Sequence, residues 1–217
     1  GGQIGDCGFI QTVDGSKLEI INTVKENDTI IHITKELPKD LNSILNVSVF
    51  KDRRLNSSCN HTSTHLLHQA LRHVLGTHVQ QKGSMVSDKY LRFDFSHFEK
   101  LSDNQIKEVQ NFVNQKIDDH LDLEENRSAD FNECINNGVI ALFGEKYGDK
   151  VRSVKFGTSF ELCGGTHVKN TSIIKNFIIR SESAISTGIR RIEAISGLVA
   201  KDYLNEKIKI LDNVNSL

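Results

Sequence analysis

His61-Thr-Ser-Thr-His65 sets two imidazoles four residues apart, one helical turn, so that both lie on one face of a helix. Much later in the chain, Cys163-Gly-Gly-Thr-His167 sets a thiol and a third imidazole at the same spacing across two glycines. Imidazole and thiolate are the ligands zinc prefers. A fold that serves both segments must therefore bring a helix and a glycine turn together around one ion. Gly164-Gly165 reads as the device that lets the backbone turn sharply enough for Cys163 and His167 to converge. Either segment alone is ordinary surface chemistry. The four residues together, His61, His65, Cys163 and His167, point to a zinc site. His68 shares the helix face a turn further on and is available as a replacement ligand, whereas Cys59 reads as a small buried residue. A metalloprotease reading of His-x-x-x-His fails, because that chemistry needs a glutamate directly after the first histidine and the residue here is Thr62.

The pattern around these segments is mixed. Residues 1–55 read as short strands, Phe9–Val13, Leu18–Val24, Ile30–Thr34 and Asn46–Phe50, with Asp14-Gly15 and Glu26-Asn27-Asp28 supplying turns. A small N-terminal β-barrel, or part of one, is expected there. From His61 to Leu75 the apolar residues fall at helical spacing (Leu66, Leu67, Ala70, Leu71, Val74), and Asn60 is a candidate N-cap. Residues 78–97 read as a hairpin whose Leu91, Phe93 and Phe95 share one face. Ser102 with Gln105 makes a capping box, Leu101 with Ile106 a hydrophobic staple, and Ile106, Val109, Val113 and Ile117 the stripe of a second helix. A strand or extended link over Asp122–Asp130 and a short helix over Phe131–Asn136, ended by Gly138, come next. Strands at Val151–Phe156, Ile173–Arg180 and Ile189–Ile195 and a helix over Leu198–Leu211 follow. The fold class is α+β: a barrel over 1–55, a mixed core over 56–197 carrying the zinc site between a helix and a glycine turn, and the start of a C-terminal helix over 198–217.

Composition serves to exclude. Among 217 residues, 27 Lys+Arg face 28 Asp+Glu, a net charge of -1, so any nucleic-acid contact must come from a local patch. The longest apolar run, Val139–Phe143, is far short of the ~20 residues of a membrane helix. Four cysteines without framework spacing suit a reducing cytosol. The opening residues carry no basic and apolar leader pattern, so a cytoplasmic protein is expected.

The runs His61-Thr-Ser-Thr-His-Leu-Leu-His68, Leu75-Gly-Thr-His-Val-Gln-Gln-Lys-Gly-Ser84 and Leu91-Arg-Phe-Asp-Phe-Ser-His97 resemble the editing domain of alanyl-tRNA synthetase. So do Ala141-Leu-Phe-Gly-Glu-Lys-Tyr-Gly-Asp149, Glu161-Leu-Cys-Gly-Gly-Thr-His-Val168 and Gly188-Ile-Arg-Arg-Ile-Glu-Ala194. Gly1-Gly-Gln-Ile-Gly-Asp6 resembles the glycine-rich motif of the small barrel that precedes that core. The motifs come in the family's order. The resemblance implies zinc at His61, His65, Cys163 and His167, with Cys163 and Gln81 in the editing pocket. It implies a deacylase acting on Ser-tRNA(Ala) and Gly-tRNA(Ala), with Gly1, Gly2 and Gln3 among the substrate or tRNA contacts. It also implies that the family's ATP-dependent aminoacylation and tRNA-recognition parts are absent, the remainder of a synthetase chain lying outside this one.

Arg190 and Arg191 are either solvated strand residues or receivers of phosphates from the tRNA acceptor end. Whether zinc is catalytic or shapes the pocket stays open, because four protein ligands favour a structural site and catalysis favours three. Rival readings are a threonyl-type editing domain, a free-standing trans-editing protein, and a non-enzymatic zinc-stabilised RNA-binding module.

Overall fold

The computed structural model describes residues 2–27, 29–141 and 147–215, and these divide into two compact units. One runs from Ile4 to Leu55; the other joins Gln3 to the chain from Asn56 onward. Among the described residues no helix is long and apolar enough to cross a membrane.

The first unit holds β1 (Gly8–Gln11), β2 (Lys17–Glu26), β3 (Thr29–Thr34) and β4 (Asn46–Val49), all antiparallel in the order β3-β2-β1-β4. Strands fall where the β-branched runs put them. The closed barrel does not: among the described residues no ladder joins β3 to β4, and the sheet is open. Closure needs edge strands long enough to meet in a staggered register, and β4 has four residues, all exposed. Among the described residues its buried apolar side chains include Cys7, Ile10 and Ile20, while Ile30, Ile31, Ile33 and Val47 stand in solvent.

The second unit is built on α1 (Lys51–Leu75), which starts ten residues before the position that apolar spacing indicates. Its early buried positions are Ser57, Ser58, Cys59 and Asn60, small or polar residues that carry no hydrophobic signal. Asn60 is therefore not a cap but a buried mid-helix residue. Its amide donates to the Ser87 carbonyl at 2.8 Å, and its carbonyl accepts from the Ser196 hydroxyl at 2.7 Å. Further along, Leu66, Leu67, Ala70 and Leu71 are fully buried, and so are Leu91, Phe93 and Phe95 in the same core.

Those three belong to the hairpin of β5 (Gln81–Val86) and β6 (Leu91–Ser96). After it, α2 (Asp103–Asp118) begins with the anticipated capping box of Ser102 and Gln105 and buries Val109, Val113 and Ile117 in the same core. β7 (Glu124–Asp130), α3 (Phe131–Asn136), β8 (Lys150–Phe156) and β9 (Ser159–Leu162) follow, the strands forming a second sheet ordered β7-β8-β9. β9 is the strand that sequence patterning does not reveal. It returns from β8 through the two-residue Gly157-Thr158 loop, where Gly157 has φ 57°. The strand expected over Ile173–Arg180 is instead a 3-10 turn at Thr171–Ile173 and, after Lys175 at φ 67°, β10 (Phe177–Ser186). β11 (Ile189–Ser196) joins β10 to the hairpin in the order β10-β11-β6-β5, and α4 (Gly197–Asn215) closes the described chain.

Candidate metal centre

α1 presents His61 and His65 on its buried face, and the turn after β9 presents Cys163 and His167 to the same point. One ligand atom from each of these four residues lies within 4.8 Å of every other. Cys163 Sγ is 3.3 Å from His61 Nε2 and 3.4 Å from His167 Nε2. A tetrahedral ion with Zn–N near ~2.0–2.1 Å and Zn–S near ~2.3 Å separates its donors by roughly 3.3–3.6 Å. The cluster thus has the donor set and the spacing to hold such an ion.

The far ring nitrogens are disposed of one by one. His61 Nδ1 donates to Gln3 Oε1 at 2.7 Å, and the same oxygen accepts from the Thr166 backbone N–H at 2.9 Å. His167 Nδ1 meets the Thr62 hydroxyl at 3.1 Å. His65 Nδ1 faces Glu161 Oε2 at 3.5 Å and has no hydrogen-bond partner among the described residues. Glu161 Oε1 lies 2.9 Å from His68 Nδ1, so His68 is engaged by a carboxylate and is not a fifth member of the cluster.

Burial and partners set the protonation states. Burial pushes the His167 imidazolium down to about 3 and lowers His61 as well. For Cys163, burial acts to raise the thiol, but hydrogen bonds from His167, His61 and His65 outweigh it and hold the group far below the usual thiol range. Burial also works against charge on His65 and Glu161, yet each is moved towards its charged form by the other. Cys59, buried without such partners, goes up to about 11. The Cys163 thiolate beside neutral His61 and His167 is the state a metal takes up, and His65 would give up its extra proton to a bound ion.

The glycine turn works differently from the expectation that both glycines bend the chain. Neither Gly164 nor Gly165 has positive φ. Gly165 is needed for space: a Cβ there would collide with the His61 ring, whereas one on Gly164 would meet nothing within 4 Å. The turn is held by Arg152, whose guanidinium donates to the carbonyls of Cys163 at 2.9 Å and Gly165 at 2.7 Å while pairing with Glu125.

The structure brings Gln3 into direct contact with the cluster, where the sequence reading had it as a substrate contact. Gly2, with φ 88°, accepts from the Val86 N–H at 2.8 Å, and a Cβ there would strike the Ser84 carbonyl. Gly1 lies outside the described residues, as do residues 142–146 of the Ala141–Asp149 motif. Gln81 sits half-buried at the bulge of β5 and donates to Ser84 Oγ at 3.4 Å, touching none of the four donors. Arg191 makes a two-pronged pair with Asp94 at 2.7 and 2.8 Å, and Arg190 pairs with Glu182. Thr62, Glu161 and Arg152 were missed by sequence reasoning; Thr62 and Glu161 sit inside or beside the ligand motifs, and that adjacency was the available signal.

Residues 151–193 match the family described as the threonyl and alanyl tRNA synthetase second additional domain. The whole chain is 54% identical over 216 residues to an alanine–tRNA ligase of Christiangramia forsetii, covering 25% of that protein. It is 46% identical over 225 residues to the ligase of Flavobacterium psychrophilum and 45% over 217 residues to that of Parabacteroides distasonis, again 25% of each. The chain thus spans a quarter of the length of the curated relatives it matches.

Proposed function

From a chain whose residues 151–193 match the second additional domain of the threonyl and alanyl tRNA synthetases, and whose length aligns with a quarter of alanine–tRNA ligases, we propose an editing deacylase. Its substrates are Ser-tRNA(Ala) and Gly-tRNA(Ala), hydrolysed at the aminoacyl ester, and its ion is zinc. The observation that carries this reading is the buried His61–His65–Cys163–His167 cluster, embedded in a region matched to synthetases of the alanyl type.

The need for such a step is physical. A site built for alanine cannot exclude the smaller glycine by sterics and rejects the added hydroxyl of serine only weakly. Zinc, when bound, supplies Lewis-acid polarisation of an ester carbonyl and generates a nucleophile from water at neutral pH. The chain's own residues do the rest. Cys163 is held as thiolate, and Gln3 and Thr62 fix two imidazoles with Nε2 turned inward. Gln81, as the pocket residue, would reach the ester or the serine hydroxyl with its amide. The acceptor end of tRNA(Ala) is the partner. Arg190 and Arg191, each already paired with a carboxylate, would receive its phosphates with their remaining N–H groups. Four buried free cysteines fit a reducing cytosol.

The test is a deacylation time course on Ser-tRNA(Ala), with zinc content measured in parallel, for the parent chain and Cys163→Ala. Loss of both hydrolysis and zinc in the variant is expected. Equal rates from the two proteins would mean that the hydrolysis does not use this site, and an intact ester with zinc bound would leave an RNA-binding module.

A further inference from the structure

Glu161 is a carboxylate 4% exposed, at the end of a sheet strand, one residue before the thiol ligand's neighbour. A carboxylate so deeply buried persists only when it is paired. No lysine or arginine pairs with it among the described residues. Its partners are the imidazoles of His65, at 3.5 Å from Oε2, and of His68, at 2.9 Å from Oε1. One is a member of the metal cluster; the other is its neighbour on α1.

We propose that Glu161 is the positioning carboxylate of this centre. The inference rests on the metal reading given above and assigns the residue two duties. The first is orientation. Gln3 and Thr62 occupy the Nδ1 atoms of His61 and His167, and His65 Nδ1 has only the Glu161 carboxylate before it. With the proton kept on Nδ1 by that carboxylate, the lone pair of His65 is left on Nε2, the other ring nitrogen and the one then free to bind an ion. His68 in turn holds the second carboxylate oxygen and stops it rotating away. The second duty is charge. A divalent zinc bound by one thiolate and three neutral imidazoles keeps one net positive charge in a largely buried site. Glu161 supplies the balancing negative charge at the distance of one imidazole ring. Outer carboxylates of this kind set ligand orientation and basicity in metal sites generally.

The test compares zinc affinity, by chelator competition, for the parent chain, Glu161→Gln and Glu124→Gln. Glu124 is an exposed carboxylate on β7 that serves as control. Glutamine preserves the shape at Glu161 and removes the charge. We expect about 10–100-fold weaker zinc binding in Glu161→Gln and none of that loss in Glu124→Gln. Zinc affinity unchanged in Glu161→Gln, whatever happens to its melting temperature, would make the residue a structural one and overturn the inference. Should that variant not fold, nitrogen-detected NMR of the zinc-loaded parent decides. A protonated Nδ1 and a zinc-bound Nε2 on His65 uphold the assignment, and ligation through Nδ1 overturns it. A parent chain that takes up no zinc removes the metal reading itself, and this inference with it.

Discussion

At the residue scale, the centre depends on an absence of atoms as much as on its ligands. Gly165 leaves room for the His61 ring, and Gly164, beside it, faces open space. Gly165→Ala is therefore expected to displace His61 and cut metal affinity by at least the 10–100-fold typical of a disturbed outer shell, while Gly164→Ala leaves it unchanged. Chelator competition on the two variants checks both statements. A pH prediction follows from His167. Its pKa is near 3 when folded, because burial disfavours the imidazolium, against 6.5 for the free group. Between those values the unfolded chain binds a proton that the folded chain refuses, so the unfolded state gains as pH falls. The metal-free chain should lose stability as pH drops below about 6.5, with the loss continuing towards 3. Denaturant midpoints at pH 7.5, 6 and 5 would show it, less what the raised pKa of His65 gives back; stability that rises as pH falls would contradict the burial of a neutral His167.

At the element scale, α1 carries the centre and is anchored by a polar residue. Asn60 spans the Ser87 carbonyl and the Ser196 hydroxyl from the middle of the helix. Asn60→Ala strands two buried groups, and a cost of about 1–3 kcal/mol is expected, measurable as a shift in the urea midpoint with an unchanged slope. The same residue shows where sequence legibility ends. Helix periodicity is written in apolar residues, so the Leu66–Leu71 stretch of α1 was visible and the Ser57–Asn60 stretch, buried but polar, was not. The capping box of α2 was legible because its chemistry is local, Ser102 to Gln105. β9 was hidden because four residues are too few for a pattern, although Gly157 marked its turn. Whether a barrel closes was not legible for a different reason: strand runs show where strands lie, not whether the edge strands meet. In the centre, the ligand types and their i, i+4 spacing were readable, and the roles of Gln3, Thr62 and Glu161 were not, since each acts on a residue chosen by the fold.

At the scale of the whole molecule, charge governs how the proposed substrate is met. A net charge of -1 supplies no long-range pull on a polyanion, and Arg190 and Arg191 already hold carboxylates. We expect weak tRNA binding whose affinity falls as salt rises, with hydrolysis retained at high enzyme concentration. Titrations of tRNA(Ala) at two salt concentrations check this, and tight, salt-insensitive binding would contradict it. The placement of the four donors has a further consequence, in time rather than space. His61 and Cys163 stand 102 residues apart, and a ribosome adds about 5–20 residues per second. For roughly 5–20 s of synthesis the helix histidines have no thiolate to share an ion with. An ion at the proposed centre can therefore engage all four donors only after β9 and the turn that follows it have been made, so the helix histidines must wait for the second half of the site.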